Sequence, residues 1–148
     1  MAIALTRRRA LDAQQESWRV FYGDVEAGHI SRCTGAPAGT DPWQWFCGFY
    51  PGSHPGERTV GTAATLEEAR QAFEGAWAAF LAKRTPEDFD AYRRHVASTR
   101  WKYAMWDAGC RLPTQNTSGR SRCFCGAEID LQTTESHIYS AHMAAPAF

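Results

Sequence analysis

The sequence predicts an α+β fold: a three-stranded antiparallel sheet packed by one helix, followed by a second long helix and a small C-terminal module. Three observations predict it. Short runs with alternating apolar residues occupy the first third of the 148-residue chain. Two long segments with apolar residues three and four positions apart follow them. Two cysteines and two histidines lie close together between Cys123 and His142.

The composition is that of a folded protein. Hydrophobic residues make up 44% of the sequence and aromatic residues 13%, which supplies enough apolar surface for a core. The formal net charge is zero, but residues 83–122 hold nine basic and four acidic side chains. Binding of a polyanion is therefore expected in this central region and not over the whole surface.

Cysteine usage favours a reducing compartment. The chain has five cysteines, an odd number, and Cys123 and Cys125 are too close together for an ordinary disulfide framework. The arginines at 7–9 precede a polar stretch, whereas an export signal needs an apolar one. No apolar run is long enough to span a bilayer. We therefore expect a cytoplasmic protein with no membrane partner.

The first strands follow an N-terminal arm. Residues 1–17 are predicted to be this flexible arm, and structure begins at residue 18. Residues 18–22 and 29–33 are strand candidates rich in aromatic and β-branched residues, with a turn at 23–28 between them. They predict a hairpin.

A third strand is predicted in the Trp-x-Trp segment that begins at Trp43. Its apolar side chains fall on one face over residues 43–49, as in a strand with one buried side. Residues 50–56 are dense in turn residues, and residues 57–61 are a candidate for a short edge strand. The third strand is expected to extend the hairpin into a sheet.

The first helix has a clear start signal. Thr65, with Glu68 three residues later, matches a capping box, and the apolar stripe that follows extends to about Arg84. We expect this stripe to lie across the sheet. Residues 18–84 are therefore predicted to form one sheet-plus-helix domain.

The second helix is predicted over residues 85–111. It begins with a threonine cap followed by proline at the first helical position, and Gly109 is a natural stop. Its apolar residues lie on two sides, which is typical of a helix packed between two neighbours. We expect one side to pack on the sheet domain and the other on the C-terminal module or on a partner. On this second side, Trp101 and Met105 are candidates for binding a protein partner.

The tail carries a metal-ligand pattern after a polar linker at 112–120. Zinc prefers four ligands in a tetrahedron, commonly a close cysteine pair on a turn and a close histidine pair on a helix. Residues 121–148 contain both halves in that order. The candidate ligands are Cys123, Cys125, His137 and His142. The sequence thus predicts one structural zinc ion.

This segment resembles the two-cysteine, two-histidine zinc finger over residues 121–143. The resemblance implies a hairpin, a short helix that Thr133 or Thr134 caps, and a small core formed by Ile129 and Leu131. Two features depart from the family pattern: one residue separates the cysteines, and eleven separate the second cysteine from the first histidine. The helix start has no Arg or Lys to contact guanine, so the zinc is expected to serve folding.

Residues 18–84 resemble the three-stranded DNA-binding domains of ethylene-response factors and of integrase amino-terminal arms. The resemblance rests on the order of the elements, the Trp-x-Trp strand and the run from Gly61 to Ala69. It implies that the exposed sheet face contacts nucleic acid. The candidate contacts on this sheet and on the basic second helix are Arg19, Arg32, Arg93, Arg94, Arg100 and Lys102.

The sequence contains no recognisable catalytic motif, neither a metalloprotease helix, nor a phosphate-binding glycine loop, nor a nucleophile elbow. We therefore expect a small zinc-stabilised binding protein that acts on nucleic acid. A protein-interaction adaptor is the alternative. An enzyme is a third hypothesis, which requires His29 or His95 to meet a free thiol of Cys33, Cys47 or Cys110.

Overall fold

The computed structural model describes residues 4–10, 15–35, 37–51 and 53–143. Parts of the predicted arm and the last five residues of the predicted C-terminal module lie outside this range. The chain divides into two compact units, residues 1–92 and 93–148, and each has its own hydrophobic core.

The first unit contains one antiparallel sheet of five strands in sequential order. The strands are β1 (Leu5–Arg9), β2 (Ser17–Tyr22), β3 (Val25–Arg32), β4 (Trp43–Cys47) and β5 (Thr59–Ala63). The prediction of three strands is therefore wrong, because a strand is added at each edge. The candidate edge strand at 57–61 corresponds to β5, displaced by two residues.

The first added strand lies in the segment predicted to be a flexible arm. β1 pairs with β2 in a register that places Leu5 opposite Tyr22 and Arg9 opposite Trp18. Leu5 packs against the core, and the guanidinium of Arg7 lies 4.6 Å from the centroid of the Trp18 ring. These contacts join residues that are distant in the sequence, so no local pattern indicated the strand.

Gly28 explains why the first hairpin was predicted with too long a turn. β2 and β3 are joined by a tight turn at Gly23–Asp24, and Gly28 lies inside β3. A Cβ atom at Gly28 would stand 1.9 Å from the carbonyl oxygen of Phe46 and 2.8 Å from the Phe73 ring. Glycine is therefore needed here for close packing, although it resembled a turn residue.

Helix α1 (Leu66–Ala82) covers one face of the sheet. The backbone N–H of Glu68 donates to the hydroxyl of Thr65 at 3.1 Å, which confirms the predicted cap. Phe73, Trp77 and Phe80 project from α1 into the core, where they meet the apolar side chains of β2, β3 and β4. The predicted stripe is therefore the buried face of this helix.

Helix α2 (Pro86–Asp107) begins and ends at the predicted signals. Thr85 and Asp88 exchange side-chain-to-backbone hydrogen bonds at its start, and Gly109 at its end has a φ of +70°. The boundary between the two units falls within α2, after Tyr92. No helix among the described residues is long and apolar enough to cross a membrane.

The second unit contains the rest of α2 and a small hairpin followed by helical turns. Its other elements are a 3₁₀ turn (Pro113–Gln115), β6 (Arg120–Arg122), β7 (Glu128–Asp130), α3 (Thr134–His137) and a π-helical segment (Ile138–His142). Its core contains Ala97, Trp101 and Met105 from α2, and Ile129 and Ile138 from the tail.

The interactions of the Glu57 carboxylate contribute a pH-dependent part of the stability of the first unit. It accepts the backbone N–H of His54 at 2.6 Å and pairs with the guanidinium of Arg84, whose side chain is 3% exposed. The backbone hydrogen bond from His54 and the charge of Arg84 hold the pKa of Glu57 below its usual 4.5. Because the folded-state pKa is lowered, the stabilisation is present above pH 4.5 and is lost as the pH falls through the folded-state pKa.

We expect Glu57→Gln to lower the melting temperature at pH 7 and to have progressively less effect toward pH 3. Thermal unfolding of the wild type and the variant between these pH values measures the difference. Glu74→Gln is the matched control, because Glu74 makes an exposed ion pair with Arg70 on α1. An effect of Glu57→Gln that is the same at every pH would contradict this assignment.

Candidate metal centre

The four cysteine and histidine side chains predicted as ligands come together in the second unit. Cys123 follows β6, Cys125 lies in the turn before β7, His137 ends α3 and His142 ends the π-helical segment. Their four potential ligand atoms all lie within 4.8 Å of one another. The chain therefore positions two sulfurs and two imidazole nitrogens to bind one metal ion.

Three of the distances between these atoms are close to the edges of a tetrahedron. The Sγ of Cys123 lies 3.4 Å from the Nε2 of His142, and the Sγ of Cys125 lies 3.5 Å from the Nε2 of His137. The two Nε2 atoms are 3.1 Å apart. In a tetrahedral site, metal–sulfur bonds are about 2.3 Å and metal–nitrogen bonds about 2.05 Å. These lengths place a sulfur about 3.6 Å from a nitrogen and two nitrogens about 3.3 Å apart.

The π-helical segment brings the two histidines to the same side. In an α-helix, residues five positions apart point about 140° away from each other. Ile138–His142 instead form a wider π-helical segment with the i→i+5 hydrogen-bond pattern, which turns residues five apart toward the same side. The histidine spacing, which the sequence interpreted as one and a half turns of α-helix, is therefore accommodated by a change of helix type.

Backbone hydrogen bonds shape the cysteine turn. The N–H of Cys123 donates to the carbonyl of Ala127, and the N–H of Gly126 donates to the carbonyl of Cys123, both at 2.8 Å. Gly126 has a φ of +97°, a conformation that favours glycine in a tight turn. Cys123 is buried and Cys125 is exposed, so one side of the centre faces solvent.

Asp130 organises the turn between β7 and α3. Its carboxylate accepts the backbone N–H groups of Gln132 and Thr133 at 2.8 and 2.9 Å, and these two bonds lower the pKa of Asp130. Thr133 makes no side-chain cap of α3, and the hydroxyl of Thr134 donates to the carbonyl of Asp130. The predicted threonine cap is therefore wrong, and an aspartate holds the turn.

The protonation state of His142 suits metal binding. Burial is the larger cause that lowers its pKa below 6.5, and the nearby imidazole of His137 lowers it further. A lowered pKa favours the neutral ring, which has a lone pair available for a metal ion.

The core beneath the centre differs from the predicted one. Ile129 is buried as predicted, but Leu131 is 60% exposed, so its assignment to the core is wrong. Trp101 and Met105, predicted to be exposed and to bind a partner, are 3% and 0% exposed. They pack in the core of the second unit with Ile129 and Ile138 of the C-terminal module. The prediction that this side of α2 packs on that module is confirmed, and the assignment of the two residues to a partner surface is wrong.

The predicted nucleic-acid contacts are divided between the two units. Arg19 lies on the sheet face that α1 leaves uncovered. Arg32, at the end of β3, is exposed, but strand alternation places it on the opposite face. The remaining four candidates are exposed residues of α2 in the second unit: Arg93, Arg94, Arg100 and Lys102.

The uncovered sheet face carries a row of side chains that the sequence did not reveal. Successive pairs of Cα partners cross all five strands: the cross-strand row is Arg8, Arg19, His29, Phe46 and Val60. The neighbours of these residues along the strands, such as Val20 and Cys47, face the core. Only the pairing register places the row together, so a single strand could not indicate it.

Stacking contacts order this row. The rings of His29 and Phe46 stack with centroids 4.5 Å apart, and burial lowers the pKa of His29. The guanidinium groups of Arg8 and Arg19 lie over the Phe21 ring at 5.2 and 5.1 Å. The row therefore has cationic side chains at Arg8 and Arg19 and stacked aromatic rings at His29 and Phe46.

No protein-family model matches the chain, and no curated protein or solved structure matches it either. Neither the resemblance to a zinc finger nor that to the three-stranded DNA-binding domains gains support from these comparisons. The ligand geometry is the observation that carries the metal assignment.

Removal of a ligand tests this centre. We expect Cys123→Ser to abolish tight metal binding, since one thiolate of the tetrahedron is lost, and to destabilise residues 93–148. Apparent binding free energies for structural sites of this type are about 10–16 kcal/mol. Metal content after purification and thermal unfolding with and without a chelator provide the measurement.

Cys110→Ser is the matched control for this experiment, because Cys110 lies in the same unit outside the cluster. It should keep the metal and the response to chelator. The metal assignment would be contradicted if the unfolding of wild-type protein were insensitive to chelator.

Proposed function

We propose that this chain is a small, zinc-stabilised, non-enzymatic protein that binds nucleic acid through the open face of its sheet. Zinc is proposed because it prefers tetrahedral sites with sulfur and nitrogen ligands. The observation that carries the binding proposal is the cross-strand row, which presents two arginines and an exposed aromatic ring on one uncovered face.

The zinc has a structural role in this proposal. Four protein ligands fill a tetrahedral site and leave no position for a reactive water molecule. The thiol of Cys47, one of those considered for catalysis, is buried in the core of the first unit, and burial raises its pKa to about 12. Such a thiol is a poor nucleophile at neutral pH, which favours a binding protein over an enzyme.

The chemistry of the cross-strand row suits a nucleic acid. Arginine binds phosphate oxygens and also stacks on bases, and an exposed phenylalanine provides a surface on which any base can stack. Phe46 is 37% exposed and Val60 is 66% exposed. Arg19 donates two hydrogen bonds to the carboxylate of Glu26, at 3.1 and 3.0 Å. Because this pair is at the surface, a phosphate can compete with the carboxylate for the guanidinium.

Mutation of this face tests the binding proposal. We expect the double variant Arg8→Gln, Arg19→Gln to weaken binding to a mixed-sequence oligonucleotide and to reduce the slope of log K against log salt by about one per lost phosphate contact. Phe46→Ala should cost about 1–3 kcal/mol if a base stacks on the ring. Fluorescence anisotropy at several salt concentrations measures both effects.

Arg70→Gln is the control, because Arg70 is exposed on α1 and pairs with Glu67 and Glu74. It removes one positive charge from a different surface of the first unit, whereas the double variant removes two. Equal losses for this control and for the double variant would show that the uncovered face has no special role.

A protein-interaction adaptor is the second candidate. The specific observation that favours it is that Tyr103 and Trp106 on α2 are 68% and 78% exposed, whereas Trp101 and Met105 are buried. Large exposed aromatic residues are frequent anchors of protein interfaces. In this case Trp106→Ala would abolish partner binding, and the affinity would depend little on salt.

A further inference from the structure

We propose that Trp101 is a positioning residue of the metal centre, which holds the Cys123 thiolate through a hydrogen bond from its indole N–H. This inference rests on the proposed metal centre and assigns a role to a residue outside the ligand set. The Nε1 atom of Trp101 lies 3.3 Å from the Sγ of Cys123. Both residues are almost completely buried, with exposures of 3% and 2%.

The chemistry of the two groups leaves one role for this contact. An indole N–H only donates hydrogen bonds and does not coordinate metals. A thiolate ligand bears negative charge, and burial away from water makes a hydrogen-bond donor valuable to it. The indole therefore acts on the sulfur from outside the coordination sphere, and it fixes the direction from which the thiolate meets the metal.

Two other tryptophans show that this partner is specific. Among the described residues, the indole nitrogens of Trp45 and Trp77 are buried in the first unit without a hydrogen-bond partner. The Trp101 indole, by contrast, has a sulfur at hydrogen-bond distance. Packing alone thus suffices to retain a buried tryptophan in this protein, so the contact with Cys123 requires its own explanation.

The two thiolates are consequently unequal. Cys123 is buried and accepts the indole N–H, whereas Cys125 is exposed. Among the described residues, the side chain of Cys125 has His137 as its partner at 3.5 Å. A donor draws electron density from Cys123 and leaves Cys125 as the more electron-rich sulfur. Through Trp101, α2 becomes part of the metal centre, although it supplies no ligand.

The test compares Trp101→Phe with Trp77→Phe in the full-length chain. Both variants keep an aromatic ring and lose an indole N–H, but only Trp101 donates to a ligand. We expect Trp101→Phe to lower the affinity for Zn²⁺ by about 10–100-fold, the usual effect of losing such an outer partner. In the Co²⁺-loaded protein, its thiolate-to-cobalt charge-transfer band should move to longer wavelength, since the sulfur lone pair rises in energy without the donor.

Trp77→Phe should leave both the affinity and the absorption band at their wild-type values. A Trp101→Phe variant with the wild-type band and affinity would overturn the inference while leaving the metal centre intact. A wild-type chain that binds neither Co²⁺ nor Zn²⁺ would instead overturn the metal centre and, with it, this inference. The two failures are therefore distinguishable.

A measurement on the wild type covers the case in which Trp101→Phe does not fold. In protein loaded with ¹¹³Cd²⁺, the indole proton of Trp101 should show scalar coupling to the cadmium nucleus through the N–H···S contact. The indole protons of Trp45 and Trp77 should show none. Absence of this coupling at Trp101, in a protein that holds cadmium, would overturn the proposed hydrogen bond.

Discussion

The second unit depends on the convergence of two sulfurs and two imidazole nitrogens within 4.8 Å. Its β-strands have three residues each, and α3 has four. Elements this short bury little apolar surface and cannot offset the conformational entropy lost on folding. A metal ion bound to the four side chains would supply the missing free energy, because binding becomes part of folding when the site forms only in the folded chain. Each of the four ligand residues lies at the end of one of these short elements or in the turn between β6 and β7.

The first unit is stabilised by a hydrophobic core between its sheet and α1. Its sheet buries one face against α1, where the rings of Phe49, Trp77 and Phe80 pack with centroids 5.1 to 6.2 Å apart. Gly28 allows α1 and the backbone of β4 to approach β3 closely. Because this core needs only one side of the sheet, the other side is free to carry side chains that do not pack in the core. The cross-strand row occupies that side.

The sequence was informative wherever the structure is governed by local chemistry. The caps at Thr65 and Thr85, the stop at Gly109 and the ligand set of the tail were all predicted, because each depends on residues a few positions apart. β1 was not predicted, because its stability comes from pairing with β2 and from the contact of Arg7 with Trp18. The π-helical geometry of the histidine pair was not predicted either, because the spacing of five residues alone does not distinguish it from an α-helix.

Helix α2 shows most clearly what periodicity cannot reveal. Its apolar residues on two sides suggested a helix sandwiched along its length, with Trp101 and Met105 covered by the C-terminal module or by a partner. In the structure, different stretches of the helix serve different cores: Phe89 and Tyr92 pack in the first unit, and Ala97, Trp101 and Met105 pack in the second. A pattern of apolar positions gives the direction of each side chain around the helix axis, but it does not identify what covers it.

In the proposed function, the metal centre serves folding and the uncovered sheet face serves recognition. A centre with four protein ligands is chemically saturated, so its contribution to recognition is indirect: it fixes the shape of the second unit. Recognition must then come from side chains at the surface. A chain with zero formal net charge lacks the long-range attraction that drives nonspecific binding of nucleic acid. In the proposed function, affinity therefore arises from the few short-range contacts that the cross-strand row offers, stacking on Phe46 and ion pairing with Arg8 and Arg19. Such a surface favours a ligand whose bases are accessible, because a fully stacked duplex offers phosphates to the arginines but no base to the ring.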